Sequence, residues 1–273
     1  MKKIIAILLA MVLILAAAGC AAAPAEESAA PAEESAAPAE ESAAPAEESA
    51  APAEESAAPA EESAAPAEKS EGVMTYEEYA AAAIDDEVVI EAYVQATQSW
   101  WEDKITVYTQ DQDGAYFIYE LACSEEDAAK LVPGTKIKVT GFKAEWSGEV
   151  EIVDGTFEFV EGGDTYVAEP KDVTELLGKD ELIDYQNQLV SFKGMTVKSI
   201  AYKNDKPGED IYVTVSKDDA DYDFCVEMYL TSPESDTYKA VCELKEGDVI
   251  DVEGFLYWYE GVNTHITAVS AAE

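Results

Sequence analysis

The sequence predicts a mainly β protein: two consecutive five-stranded barrels, each with a short helix, behind a disordered repeat linker. Three observations carry this. The aromatic residues fall almost wholly after residue 71, where Tyr and Trp supply cores for small β domains. Segments in that region alternate apolar and polar, with β-branched and aromatic enrichment, as half-buried strands do. The spacing Gly-x-x-Ile-x-Val-x-Gly-Phe occurs twice, from Gly134 to Phe142 and from Gly247 to Phe255, which marks an internal duplication. The divisions expected are 1–20, 21–70, 71–168 and 169–273.

In the first module Thr75-x-x-Glu78 reads as a capping box opening a short helix from Tyr76 to about Ala83. Val88 to Val94 is strand-like. Ile105–Thr109 and Ala115–Tyr119 flank Asp111-Gln-Asp113-Gly114, and Asp-Gly between alternating strands is a hairpin signal. Ser124 caps a helix with an acidic first turn, ended by Pro133-Gly134. Lys136 to Phe142 forms the fourth strand. Trp146-Ser-Gly148 turns into the last strand, Glu149 to Val153, and Phe157-Glu-Phe159 closes the unit.

The second module repeats the order. Leu189–Val197 matches the first strand; Ile211–Val215 and Tyr222–Val226 match the hairpin, around Lys217-Asp-Asp-Ala220. Tyr259-Glu-Gly261 aligns with Trp146-Ser-Gly148. Leu176, Leu177 and Leu182 are expected in a lead-in helix like that at Tyr76. Three strands, a helix and two strands is the order of the OB-fold, a five-stranded Greek-key barrel. On Lys136–Phe142 and Val249–Phe255, the chain resembles the OB-fold, nucleic-acid-binding-like domains of bacterial lipoproteins, over roughly residues 74–160 and 180–271.

The N-terminus reads as an export signal. Lys2 and Lys3 precede an apolar run, Ile4 to Leu15, which is short for a membrane span of about 20 residues. Ala16-Ala17-Ala18-Gly19-Cys20 resembles the bacterial lipobox, with Ala17 where that family prefers Leu. The resemblance implies cleavage before Cys20, a lipid on Cys20, and residence at the extracytoplasmic face of the cell membrane. From Ala22 the unit Ala-Ala-Pro-Ala-Glu-Glu-Ser recurs six times, and a seventh copy ends at Lys69-Ser70. A period of seven suggests a coiled coil, but each unit carries a Pro, which breaks helical hydrogen bonding, and none carries a large apolar residue. The segment is expected to be a disordered, self-repelling spacer.

Composition constrains partners. The formal net charge is -41, and all seventeen basic residues are lysines. Without Arg the chain lacks the usual bidentate reader of phosphate and guanine, and no basic patch offsets the acidity. Nucleic acid is therefore allowed by the fold and opposed by the charge. The aromatic ligand-binding candidates lie in the loops and strands that bound an OB-fold's binding face: Trp100, Trp101, Tyr108 and Trp146 in the first module, and Tyr202, Tyr257, Trp258 and Tyr259 in the second.

Other chemistry is sparse. His265 stands alone and reads as an ordinary strand residue. Asp111-Gln-Asp113-Gly114 resembles the start of a calcium loop, but position twelve falls on Ala122 rather than Glu. The cluster Asp218, Asp219, Asp221 and Asp223 reads as a solvated loop. Cys123, Cys225 and Cys242 read as buried thiols. No metal, cofactor or catalytic residue is expected; Glu145 and Glu149 would be the carboxylates of a hydrolase. The expected function is a non-enzymatic surface lipoprotein displaying two binding modules, its ligand a glycan, peptide, protein or nucleic-acid fragment. A protein-docking subunit of an envelope complex is the alternative.

Overall fold

A computed structural model describes residues 69–162 and 164–272. The export signal, Cys20 and the repeat up to residue 68 lie outside the described residues. Among the described residues no helix is long and apolar enough to cross a membrane.

Helix α1, Tyr76–Ala81, starts at Thr75 with both halves of the capping box formed. Strands β1 (Glu87–Thr97), β2 (Lys104–Gln110), β3 (Ala115–Ala122), β4 (Lys136–Trp146) and β5 (Glu149–Phe159) follow, with the short helix α2 (Glu125–Ala128) between β3 and β4. They close into a barrel in the order β1-β2-β3-β5-β4. β4 returns to β1 antiparallel, while β3 and β5 run parallel. This is the OB-fold arrangement. Phe157 and Phe159 extend β5 rather than forming a separate closing segment. Ile90, Val107, Ile118, Ile137 and Ile152 fill the interior.

The second unit begins with a two-residue strand, β6 (Lys171–Asp172), laid parallel on β7 (Leu189–Tyr202). β8 (Ile211–Lys217), β9 (Ala220–Val226), helix α3 (Asp236–Glu243), β10 (Val249–Phe255) and β11 (His265–Ala271) complete it. β10 pairs back to β7, so the ring β7-β8-β9-β11-β10 repeats the order of the first barrel. Phe192, Val213, Phe224, Val252 and Leu256 lie in its core. The expected lead-in α-helix is instead two 3-10 turns, Thr174–Leu176 and Asp180–Tyr185. Gly178 separates them with a positive φ of 74°, a left-handed residue that stops a continuous helix.

The duplicated glycine spacing has a physical cause. Gly134 and Gly247 both have positive φ, 87° and 94°, where the chain turns into β4 and β10. Gly141 and Gly254 lie where those strands are crossed closely by β5 and β11. A Cβ on Gly141 would come within 2.6 Å of the Ile152 side chain, and one on Gly254 would strike the His265 carbonyl. The next residue differs in fate: Phe142 is exposed, whereas Phe255 is buried in a third apolar cluster with Tyr108 and Phe117.

That cluster joins the barrels. Ile105 and Val107 of β2 belong to the interior of the first barrel. Tyr108 and Gln110, at outward positions, are buried too, because the second barrel covers them. Tyr108 stacks on Phe255 with ring centroids 4.5 Å apart, and Phe117 meets Tyr257 edge-on at 5.3 Å. Several polar groups of this contact are paired, although Glu149 Oε1 is buried without a partner among the described residues. Leu189 N donates to Gln110 Oε1 (2.9 Å), Asn187 Nδ2 to the Val150 carbonyl (3.0 Å), and Ser99 N to the Tyr229 carbonyl (2.9 Å). Leaving a buried group such as Gln110 or Asn187 unpaired would cost about 1–3 kcal/mol.

Candidate functional site

In an OB-fold the ligand face runs over strands 2 and 3, between the loops that follow strands 1 and 4. In the first barrel the middle of that face is occupied by the second barrel. Tyr108, expected to contact ligand, is 1% exposed and belongs to the contact between barrels. Tyr257 is drawn into the same contact, stacked on His265 at 4.1 Å between centroids. The expectation for Tyr108 is corrected, because its outward ring meets the second barrel rather than solvent; Tyr257, expected in a ligand-facing loop, is half-buried and packs partly against the same contact.

The other end of the face stays open. There the loop after β1 folds over the start of β2 and the end of β3, leaving a concavity of about 580 Å³. Its wall comprises Gln98 to Glu102 from that loop, Lys104 to Thr106 of β2, Tyr119 and Glu120 of β3, and Tyr229 from the second barrel. A volume of this size lies within the range of small-molecule sites, about 300–1,000 Å³.

Local structure holds these groups in place. Trp101 and Lys104 bridge backbone to backbone in both directions, at 2.9 and 3.0 Å. Glu102 and Asp103 between them take positive φ, 46° and 62°, to make the tight turn. Trp100 is half-buried and its Nε1 donates to the Cys123 carbonyl at 2.8 Å, which fixes the indole. Trp101 is 71% exposed at the rim. Tyr229 is presented by the segment after β9, tethered through its carbonyl to Ser99.

The electrostatics are mild. Lys104 Nζ donates to Glu120 at 2.6 Å, and that carboxylate beside it holds its ammonium above the usual lysine range. Gln98 Nε2 to Tyr108 Oη and Ser99 Oγ to the Tyr229 carbonyl are both long, at 3.4 Å. Bonds this long are weak, so a bound group can take over either side chain.

The remaining candidates separate from this concavity. Trp146 at the end of β4 and Tyr259 in the loop after β10 tilt against each other at 5.2 Å and are both exposed. Glu260 N donates to the Ser147 carbonyl at 2.8 Å beneath them. Trp258 is half-buried against the second core, close over Gly148. Tyr202 packs on the same core, its hydroxyl pushed up to about 12 first by the Cys242 thiol beside it and then by burial.

Glu149 is fully buried at the barrel contact and accepts from Trp258 N (2.8 Å) and Gln186 Nε2 (3.1 Å). Burial pushes it up to about 8, against the pull of those donors. A carboxyl so enclosed touches no solvent-filled space and serves the joint between barrels. His265 is not an ordinary strand residue either: it lies buried in that joint, and burial lowers its ring to about 4.

Asp111 stabilises its hairpin. Its Oδ1 accepts from Asp113 N and Gly114 N, and its Oδ2 takes Lys69 Nζ at 2.9 Å. Among the described residues no group of three or more His, Cys, Asp or Glu is placed to hold a metal ion. Cys123 and Cys225 are buried free thiols, whereas Cys242, expected buried, is exposed on α3.

No family model matches the sequence, and no curated protein matches it. Solved structures share a distant likeness. A murine DNA-binding protein bound to double-stranded DNA is 14% identical, with 69% of this chain and 97% of that chain covered, at a TM-score of 0.35. The HINa domain of Ifi202 in complex with a 20-bp double-stranded DNA is 9% identical, with 69% and 100% covered, at 0.33. A replication protein A heterotrimer bound to single-stranded DNA is 13% identical, with 61% and 43% covered, at 0.27. At such scores the likeness says nothing about what this chain binds.

Of the aromatic candidates, only Trp100 and Trp101 line the concavity. Tyr229 and Tyr119 complete it and were not singled out. Tyr119 sits on a strand whose alternation flags it as outward, so a count of exposed strand aromatics would have found it. Tyr229 lies in an irregular segment more than a hundred residues from Trp101, with no local pattern to mark it.

Proposed function

We propose that this protein is a non-enzymatic, extracytoplasmic lipoprotein, anchored through Cys20, that captures a small ring-bearing ligand between Trp100, Trp101 and Tyr229. In this reading residues 21–70 are the spacer, and 71–168 and 169–273 are two OB-fold modules acting as one binding unit. A single acyl chain binds membranes only marginally, so the anchor needs the several chains of a bacterial lipoprotein. The observation that carries the binding function is the convergence of Trp100, Trp101, Tyr119 and Tyr229, from both barrels, on one half-open concavity. The indole hydrogen bond of Trp100 and the backbone bonds at Trp101 and Tyr229 pre-organise the loops that carry these rings, which lowers the entropy lost on binding.

Nucleic acid stays the less favoured ligand. The wall offers one ammonium, already spent on Glu120, and phosphate binding needs several free cations. A docking role has separate support in the exposed Trp146–Tyr259 pair, which requires a protein partner rather than a small ligand.

Two experiments test the proposal. Metabolic labelling with a fatty-acid analogue is expected to mark the wild-type chain and not Cys20→Ala. Intrinsic fluorescence of the full chain is expected to respond to a small ligand through Trp100 and Trp101. Indifference to every small ligand, with a protein partner whose binding is lost in Trp146→Ala, would favour docking instead.

A further inference from the structure

We infer that the concavity takes a neutral carbohydrate, a short chain of polyhydroxylated rings carrying neither phosphate nor carboxylate. This rests on the concavity being a ligand site, and it names the ligand class.

The rings supply the first part. Trp101 at 71% exposed, Tyr229 at 56% and Tyr119 at 43% present large apolar faces to water around one hollow. The C–H face of a sugar ring is flat and apolar, and it covers an aromatic face without needing a charge. Trp101 and Tyr229, two exposed rings contributed by the two barrels, suit a ligand with two such faces or two successive rings.

The charges supply the second part. Glu102, Glu120 and Lys104 are the ionisable carboxylates and ammonium of the wall. Lys104 is held by Glu120, and Glu102 pairs with no cation among the described residues. An anion would meet Glu102 and Glu120, in a chain whose formal net charge is already -41. A cation would find only Glu102 uncommitted, a single carboxylate in a half-open hollow, where a solvent-exposed ion pair contributes little. A neutral ligand avoids the repulsion and loses little by forgoing that pair.

The polar atoms supply the third part. A sugar hydroxyl both donates and accepts, so it needs partners of both kinds at short range. Glu102 is a free acceptor. Gln98 and Ser99, weakly engaged at 3.4 Å, offer an amide and a hydroxyl that can turn to a ligand. Thr106 and the Lys104–Glu120 pair line the floor. This mixture of rings and weakly held polar groups is poorly matched to a purely apolar ligand, whose binding would leave those groups dry.

The full chain is titrated, by tryptophan fluorescence and calorimetry, with neutral tetrasaccharides (cellotetraose, chitotetraose, maltotetraose). Tetragalacturonate, a deoxythymidine dodecamer and spermine are titrated alongside. We expect at least one neutral tetrasaccharide to bind, with little dependence on salt. Trp101→Ala and Tyr229→Ala should each weaken it by about 10-fold, while Trp146→Ala leaves it unchanged. Both residues are exposed, so the variants should melt like the wild type, which thermal unfolding checks. Binding confined to the anionic or cationic probes, yet still dependent on Trp101, would overturn the carbohydrate class and keep the site. A sugar that binds without regard to Trp101 and Tyr229 would overturn the assignment of class to this concavity. Absence of any probe that depends on either residue would overturn both the class and the site.

Discussion

Tyr108 of the first barrel and His265 of the second meet at 2.7 Å, hydroxyl to Nδ1, inside the contact between the barrels. Burial raises the Tyr108 hydroxyl well above its ordinary value, so it keeps its proton. With the imidazole proton on Nε2, the hydroxyl donates to Nδ1. Tyr108→Phe keeps the ring stacked on Phe255 but leaves Nδ1 buried without its donor. It should lower stability by about 1–3 kcal/mol, read as a fall in the urea midpoint with an unchanged slope.

His265 is the chain's one histidine, so its ring protons are unobscured in a proton spectrum. Its ring is lowered to about 4 from an ordinary 6.5, by burial and against Asp210. The resonances should stay at their neutral positions down to about that pH. The sign of the stability effect follows. Between pH 6.5 and about 4 the unfolded chain binds a proton that the folded one refuses, so this group's contribution is lost as pH falls through that window, by up to about 1.4 kcal/mol per pH unit.

Glu149 acts in the opposite direction. Its carboxyl is raised from 4.5 to about 8. The folded chain therefore holds a proton that the unfolded one releases between those values, and stability falls as pH rises through the window. Glu149→Gln mimics the protonated carboxyl and still accepts from Trp258 N. Its stability should be flatter between pH 6.5 and 8, with the largest gain over wild type at pH 8, measured by denaturant melts across that range. A wild-type profile that already rises toward pH 8 would contradict the assignment.

Lys143 caps α1 from below. Its buried Nζ donates to the carbonyls of Tyr79, Ala80 and Ala82, at 3.0, 2.9 and 2.9 Å, and lies 5.0 Å from the Tyr79 ring centroid. These are the carbonyls a helix end leaves unpaired. Lys143→Met fills the same space without donors and should cost about 1–3 kcal/mol. Hydrogen exchange should localise the loss to α1.

The barrels should not behave as independent beads. A fragment of residues 71–168 would expose Tyr108, Phe117 and Gln110 together with buried Glu149 and Glu151. It should bind a hydrophobic dye and aggregate at concentrations where residues 71–273 stay monodisperse in size-exclusion chromatography.

The strand order was legible because it rests on local signals. Alternation marked β1, β2 and β3, Asp111-Gly114 marked the hairpin, Thr75 and Ser124 marked the helix starts, and the two glycine spacings marked β4 and β10. The 3-10 turns before β7 were missed because a cluster of three leucines does not reveal that Gly178 interrupts them in the left-handed region. Among the site residues, Trp100 and Trp101 were visible as aromatics in a loop. Their partner Tyr229 was not, since no local period connects it to them.

Sequence alone therefore determined the mainly β character, the repeated glycine spacing and the strand order, because hydrophobic period, caps and turns act over a few residues. It also determined the acidic balance, with seventeen lysines and no arginine against 58 acidic residues, which is a matter of composition. Only the tertiary structure decided which aromatics line the open concavity and which meet protein. Phe142 and Phe255 occupy the same place in the repeated spacing, yet one faces water and the other stacks on Tyr108. Alternation states that a side chain leaves its own barrel; what it then touches depends on where the other barrel docks, and that is set by contacts such as Tyr108–His265 between residues 157 positions apart.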